Sequence, residues 1–339
     1  MKPVTLKDIA LELNISVSAA SKALQGRSDV SNSTREAVMK LAEKLNYVPN
    51  SVAVNLRTRQ TKTIGVIIPT IVHQFFSKVI DGIIEEAEKQ GYFVITLQSN
   101  ENFEFEKKQL QLLMQKRVDG ILISLSNQTQ HCKHLNEILQ KDIPIVIFDK
   151  ISKLVNCSKV SIDDQMAAYN TVSYLIEKGY KRIAHFRGSL MPQNSIDRFL
   201  GYKKALVDHG IEFDPSLVYL CDNNDDFNDG YTNAQKLLRE QKDVDAIFAI
   251  TDLIAVGILK CFNEKSVKIP EDIAVFGFSD WFMASVVTPT LSSVIQPGFE
   301  MGRKATEILI EEIKNLNTNT PYSFQNVVLP TSLVIREST

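Results

Sequence analysis

Two groups of side chains in this sequence have chemistry to offer a partner. The first lies in one run, Ile15-Ser16-Val17-Ser18-Ala19-Ala20-Ser21-Lys22-Ala23-Leu24. Its hydroxyls and single lysine stand among alanines, so donors and a cation sit on a stretch with little bulk. Such a surface allows close approach to the base edges of a DNA groove, where donor and acceptor patterns carry the sequence. The polar outer face of a small helical bundle is the plainer alternative. The second group is spread along the chain: Phe75, Ser124, Asp149, Arg198, Thr251, Asp252, Ser279 and Trp281. Most of these follow short apolar runs. Carboxylates and an arginine beside aromatics suit the noncovalent capture of a polyhydroxyl or anionic ligand.

Signatures of catalysis are missing. No GxGxxG follows an apolar run, and GxxxxGK[ST], HExxH and GxSxG do not occur. The chain is therefore not expected to be an enzyme, and no cofactor is implied. His185 lies in an apolar run and reads as a buried polar group rather than a base. His131-Cys132-Lys133-His134 is the one cluster that hints at metal, but its spacing fits no common zinc pattern. A solvated helix face is the expected reading, and no metal is assigned. Cys132, Cys157, Cys221 and Cys261 are far apart and form no CxxC, as expected of reduced thiols.

The elements that position the first group can be read locally. Leu6, Ile9, Ala10 and Leu13 recur at helical spacing, with Thr5 and Asp8 placed as a capping box. Asn14-Ile15-Ser16 breaks the pattern, Ser16 is placed to cap a second helix, and Gly26 ends it. Helix, short turn and helix form the helix-turn-helix arrangement, whose second helix enters the major groove by its N-terminal residues. Ser31-Asn32-Ser33 opens a third helix with Val38, Leu41, Ala42 and Leu45 on one stripe, and Tyr47-Val48-Pro49 stops it. Asn50 can then cap a short helix carrying Val52, Ala53 and Leu56, too short to hold without a partner.

Charge separates this head from the remainder. Residues 1–62 carry ten Lys/Arg against five Asp/Glu, whereas the whole chain has a net charge of −2. A basic head on an acidic body is the footprint of a protein that touches nucleic acid with one end. No apolar run approaches the roughly 18 residues of a membrane helix. Nor does Met1-Lys2-Pro3-Val4-Thr5-Leu6-Lys7-Asp8 have the apolar core of a signal peptide. A cytoplasmic, nucleoid-associated protein without membrane contact is expected.

Beyond Thr63 short apolar runs alternate with amphipathic stretches. Ile64–Ile68, Tyr92–Leu97, Ile121–Ile123 and Ile145–Phe148 read as strands, with helices near 75–90, 103–116 and 130–140 between and after them. The alternation restarts at Val160–Ile162 and runs through Ile183–Phe186, Leu217–Leu220, Ala246–Ile250 and Ile273–Phe276. This α/β pattern predicts parallel sheets covered on both faces. Leu291–Ile295, a helix near 299–313 and strands near 325–336 do not simply continue it.

Over its first 60 residues the chain resembles the lactose/galactose repressor (LacI/GalR) family of bacterial transcription regulators. The likeness rests on Val4-Thr5-Leu6-Lys7-Asp8-Ile9-Ala10, Ser16-Val17-Ser18, Ser21-Lys22-Ala23-Leu24, Val30-Ser31, Thr34-Arg35 and Leu45-Asn46-Tyr47-Val48-Pro49-Asn50. The resemblance implies that Val17, Ser18 and Lys22 read bases. It puts Thr5, Leu6, Ser16, Ser21, Ser31, Thr34, Tyr47, Asn50 and Ala53 at or near the DNA, and makes Leu56 a minor-groove wedge. It also implies a two-lobed body, like periplasmic binding proteins, crossed three times near residues 160, 293 and 323. The expected parts are a helix-turn-helix head at 1–48, a hinge at 49–60, an N-terminal lobe at 61–159 plus 294–323, and a C-terminal lobe at 160–293 plus 324–339. The implied partners are a near-palindromic double-stranded operator, a second copy of the chain, and a small carbohydrate effector, a sugar or sugar phosphate. The chain ends soon after its last strand without a heptad tail, so a homodimer is expected.

Three positions depart from the family's pattern: Lys22 replaces a usual arginine, Thr251 an asparagine, and Ser279 an aspartate. Other uses remain open for several residues. Phe75 and Phe76 can cap a sheet, Arg198 can form an ion pair between lobes, and Asp252 can cap the helix that follows it. Trp281, the only tryptophan, can be core or a stacking platform. A sugar-binding transport receptor would have the same body but no need of the head.

Overall fold

The computed structural model describes residues 4–24, 26–27, 29–47, 60–222, 226–241 and 243–339. The expected hinge helix, with Asn50, Ala53 and Leu56, lies outside them. The chain divides into two compact units, Met1–Thr61 and Lys62–Thr339.

In the head, α1 (Leu6–Glu12), α2 (Val17–Leu24) and α3 (Asn32–Lys44) follow the spacing of their apolar residues. Ile9, Ala23, Val38, Leu41 and Ala42 form the core. Local polar contacts set the helix ends. The Thr5 N–H and hydroxyl both donate to Asp8 Oδ2, each at 2.7 Å. Asn14, at φ 51°, makes the turn. Ser16 Oγ then accepts from the Ala19 N–H at 3.0 Å, and Ser31 Oγ accepts from the Thr34 N–H at 3.2 Å. Each cap satisfies an N–H that the helix itself leaves unpaired, worth about 1 kcal/mol.

The body holds two six-stranded sheets. The first contains β1 (Thr63–Ile68), β2 (Phe93–Gln98), β3 (Gly120–Ile123), β4 (Ile145–Phe148), β5 (Ser158–Ile162) and β11 (Asn326–Leu329). Their order is β11-β5-β4-β3-β1-β2. The second contains β6 (Ile183–Arg187), β7 (Val218–Leu220), β8 (Ala246–Ala249), β9 (Ala274–Ser279), β10 (Ser292–Ile295) and β12 (Ser332–Val334). Its order is β12-β10-β9-β8-β6-β7, and only the edge strand β12 runs antiparallel. β3, β4 and β8 are buried at every residue, as an apolar strand covered on both faces must be.

Helices α4 (Gln74–Lys89), α5 (Phe103–Gln115), α6 (Lys133–Leu139) and α11 (Gly298–Thr318) belong to the first lobe. The second has α7 (Asp164–Glu177), α8 (Gln193–Asp208), α9 (Asp226–Glu240) and α10 (Asp252–Glu264). α4 and α11 approach closely because glycines lie at the contact. A Cβ at Gly82 would come within 2.1 Å of Phe299 O, and one at Gly302 within 2.0 Å of Val79 O.

Strand pairing refines the expected lobe boundaries. β5 pairs with β4 and β11, so Val160–Ile162 closes the first sheet rather than opening the second. β11 lies in the first sheet, whereas the sequence places its residues in the C-terminal lobe. The chain therefore passes between sheets after Ile162, Ile295 and Leu329, the last of these beyond the expected crossing near 323. The apolar pattern of β5 marks a buried strand but does not say which sheet it joins. No helix among the described residues is long and apolar enough to cross a membrane.

Candidate functional site

The head presents its polar residues outward. Thr5, Ser16, Val17, Ser18 and Ser31 are exposed, while Leu6, Ser21, Lys22, Thr34 and Tyr47 are partly exposed. Val17, at 42% exposure, is an apolar side chain left in solvent at the first turn of α2. Ala20 and Ala23 turn the opposite face into the core. Lys22 Nζ reaches Asp29 Oδ2 at 2.5 Å, a surface pair that holds the Asp29 carboxyl below its usual range. The acid had no part in the expected interface, since the loop in which it lies carries no regular pattern.

In the body, topology fixes where a ligand can lie. Strand order reverses at β1, with β2 on one side and β3 on the other, and again at β6, with β7 and β8 on its two sides. Chain leaving the carboxyl ends of strands on either side of such a reversal diverges and leaves a crevice. Both crevices open into one cavity of about 540 Å³. Thr70, Val72 and His73 enter it after β1, Asn127 after β3, Gly188 and Ser189 after β6, and Ile250 and Thr251 after β8.

Several wall residues hold left-handed backbone: Asn100 (φ 52°), Glu101 (56°), Asp149 (57°) and Ser279 (119°). Such conformations cost energy for side chains other than glycine and gather where function needs a particular shape. The signal was available for Asn100 and Glu101, which follow a strand as Asp149 does. The sequence expectations do not include them, nor Asn127, Asp226 and Gln296.

Six of the eight expected residues line the cavity: Phe75, Asp149, Arg198, Thr251, Ser279 and Trp281. The other two stand behind the wall. Ser124 is fully buried, with its hydroxyl 3.4 Å from Asp149 Oδ2. Asp252 is also fully buried, accepting from the Trp281 N–H at 2.7 Å and the Ser293 hydroxyl at 2.6 Å. It does not cap α10. Thr251 does so, through the Ile254 N–H at 3.3 Å. Asp252 instead fixes the loop that carries Trp281, and a Cβ at Gly277 would strike its Oδ1 at 2.2 Å.

Arg198 is 4% exposed, and its partner belongs to the same lobe. Nε donates to Asp164 Oδ1 at 2.8 Å and Nη1 to Ile250 O at 2.8 Å, and the guanidinium lies 3.5 Å from the centre of the Phe278 ring. Burial pushes the Asp164 carboxyl up to about 7 against the pull of Arg198. In the first lobe, Lys150 Nζ donates to Glu101 Oε1 at 2.5 Å and to Asn127 Oδ1 at 2.6 Å. Burial also raises Asp149 and Asp226, the latter holding the Thr251 hydroxyl at 2.9 Å.

His73, Phe75, Phe76 and Trp281 also line the cavity. Phe75 and Phe76 are buried against the sheet core yet still form wall. Trp281, at 9% exposure, is likewise both core and wall, and meets His73 edge to face at 4.3 Å. Burial, then Lys150 and Arg198, push the His73 imidazole down to about 3, so it is neutral near pH 7. Trp281 Nε1, His73 Nδ1, Ser195 Oγ and Gln296 Nε2 are buried in this wall with no hydrogen-bond partner among the described residues. Buried polar atoms are seldom left unpaired, so four around one cavity point to a hydrogen-bonding ligand.

Elsewhere the expectations fare differently. His185 is fully buried, its Nδ1 3.0 Å from Phe248 O, as a buried polar group. His131–His134 is not simply a solvated face. Cys132 is buried in the core, and His134 Nε2 lies 2.8 Å from Glu106, which is itself buried and tied to the loop after β3. Contacts across 28 residues decide this, and they leave no trace in local spacing. All four cysteines are buried and unpaired.

A family model described as bacterial regulatory proteins, lacI family, matches residues 5–50. A second, described as periplasmic binding proteins and sugar binding domain of LacI family, matches residues 61–335. The chain is 33% identical over 337 residues to catabolite control protein A of Priestia megaterium, covering 99% of each. It is 31% identical over 334 residues to the ribose operon repressor of Haemophilus influenzae, covering 98% of each. Its fold is like that of the lac repressor dimer bound to operator and the anti-inducer ONPF, with a TM-score of 0.87, 24% identity and 99% of each chain covered.

Proposed function

Since the chain belongs to the lacI family of bacterial regulatory proteins, we propose that it is a transcriptional repressor whose grip on operator DNA is set by a ligand in the cleft. The head reads the major groove with Val17, Ser18 and Lys22. Hydroxyls around α2 and α3 hold the phosphate backbone, which sets register while base contacts set sequence. Two copies of the chain occupy the half-sites of a near-palindromic operator. The ligand is a small carbohydrate, a sugar or sugar phosphate, held in the cavity by Asp149, Arg198, Thr251, Ser279 and Trp281. Phe75 supplies apolar wall, and Ser124 and Asp252 act from behind.

The observation that carries this reading is the exposed start of α2, where small side chains leave Val17 and Ser18 open to a partner, with Lys22 partly exposed one turn further on and paired with Asp29. A transport receptor has no use for such a surface. The test is titration of the full chain against a library of near-palindromic duplexes at low salt, where phosphate contacts are strongest. Selective retention of one sequence family is the expected result. Failure to retard any duplex would sink the proposal.

A further inference from the structure

At the carboxyl end of β9, Ser279 and Asp280 hold φ of 119° and 48°, and neither is glycine. Such backbone persists only where its surroundings over-determine it. Ser279 and Trp281 line the cavity on either side of Asp280. Three restraints come from close to the cavity. The Ser279 hydroxyl donates to Gln296 Oε1 at 2.7 Å, the Asp280 N–H to Ser293 Oγ at 3.0 Å, and the Trp281 N–H to Asp252 Oδ2 at 2.7 Å. The Asp280 carboxylate is held from elsewhere in the fold: Arg336 Nη2 donates to its Oδ1 at 2.7 Å.

Arg336 is itself fixed. It lies two residues beyond β12, the antiparallel edge strand on β10. Its Nη1 donates to Leu291 O at 2.7 Å and its N–H to Ser292 Oγ at 2.8 Å. The residues that follow are stitched to the starts of β9 and β10. Glu337 Oε2 accepts from the N–H and the hydroxyl of Thr290, each at 2.9 Å. Ser338 is fully buried, and its hydroxyl donates to Val275 O at 2.6 Å and accepts from the Ser292 N–H at 2.8 Å. The Arg336 and Asp280 side chains are 19% and 22% exposed, so their charge-assisted bond is shielded as an open surface pair is not. The guanidinium fork is what allows one donor to take the Leu291 carbonyl and another the carboxylate.

Building on the regulator reading, in which a ligand occupies the cleft, we propose that Arg336 is a positioning residue of that site. It stands behind the wall and acts through Asp280. By tying Asp280 to the edge of the second sheet it holds Ser279 and Trp281 in the orientation that forms the wall. The neighbouring bonds of Ser338 hold the sheet together without reaching this segment. Trp281 is the only tryptophan of the chain, so its emission reports on the segment whether or not a ligand is bound.

The test is tryptophan emission and acrylamide quenching of the full chain, beside urea melts, for Arg336→Gln, Arg336→Lys and Ser338→Ala. Arg336→Gln is expected to move the emission to the red and steepen the quenching, as Trp281 leaves the wall. Arg336→Lys, which keeps a cation for Asp280 without the fork, should reverse part of that change. Ser338→Ala should lose stability yet keep wild-type emission. In calorimetric titrations with ribose and glucose, a sugar that binds the wild type should bind Arg336→Gln on the order of tenfold more weakly, the worth of one charge-assisted bond. Ser338→Ala should bind it as the wild type does. Wild-type emission and quenching in a folded Arg336→Gln would overturn the proposal. So would an equal red shift in Ser338→Ala, which would reduce Arg336 to a general brace. Should Arg336→Gln not fold, Asp280→Asn serves instead, since asparagine tolerates the left-handed backbone and removes only the charge. A smaller red shift is expected from it, and no shift would equally overturn the proposal. Binding of neither sugar would count against the carbohydrate reading and leave the emission to decide on Arg336.

Discussion

Lys22 is the one long cation on α2, and Asp29 holds it at 2.5 Å. Both side chains are about half exposed, so the pair itself adds little to stability. Its consequence is for binding, because on the proposed function DNA must compete with Asp29 for the lysine. Lys22→Ala should weaken operator binding by about 1–3 kcal/mol and alter base preference. An unchanged preference in a binding-site selection would reassign Lys22 to phosphate. Asp29→Asn should tighten binding to all duplexes and steepen the salt dependence by about one ion. Arg198 is a harder residue to remove than the sequence implies. Arg198→Ala leaves Asp164 buried without its partner, which costs about 3–5 kcal/mol. A urea melt should show that loss and a ligand titration no response; a wild-type response would remove Arg198 from the site. The rule of looking beyond strand ends found Asp149, Thr251 and Ser279 because it depends on topology alone. It could not separate wall from support. Asp252 and Ser124 are set back from the cavity by contacts with Trp281, Ser293 and Asp149, which no local spacing records.

The cleft is shaped by two strand-order reversals and by the loops they release. Nearly every strand and helix was legible from apolar periodicity, because covered parallel strands leave short continuous runs. The last crossing lies beyond the expected one because β11 pairs with β5 through backbone bonds that any side chain permits. The loop from Ser279 to Ala284 is the element most open to test. Asp252 anchors it, and the Phe282 N–H donates to Gln74 Oε1 in the first lobe at 2.5 Å. Gly277→Ala should drive a methyl into Asp252, release Trp281 and cost about 1–3 kcal/mol. Ligand affinity should fall with it. A variant with wild-type melting and affinity would show that Asp252 does not govern the wall.

Across the whole molecule, the division after Thr61 falls between the region matched to the lacI-family regulatory proteins and the region matched to the family's sugar binding domain. Residues 62–339 expressed alone should fold, bind the ligand with unchanged affinity and ignore DNA; calorimetry and gel retardation check both halves of that statement. The body's acid sensitivity should trace in part to His185, fully buried and held neutral, with burial pushing it down to about 3 from 6.5. Below pH 6.5 the unfolded chain takes up a proton that the folded body refuses, so stability falls with pH. Asp164 and Asp252, raised to about 7 and about 6, act in the opposite sense. Their folded forms gain protons first, so their contribution grows as pH drops toward 4 and is lost as it rises through those values. His185→Phe should flatten the fall by up to about 1.4 kcal/mol per pH unit below 6.5 in a series of urea melts. An unaltered slope would assign the acid loss to other groups. The coupling of the two units is the heart of the regulator reading. It is measured by fluorescence anisotropy of a labelled operator titrated with the full chain, with and without a saturating sugar or sugar phosphate shown by calorimetry to bind the body. A shift of the operator midpoint by about tenfold or more, in either direction, is the expected result. Coincident curves with the sugar bound would contradict it.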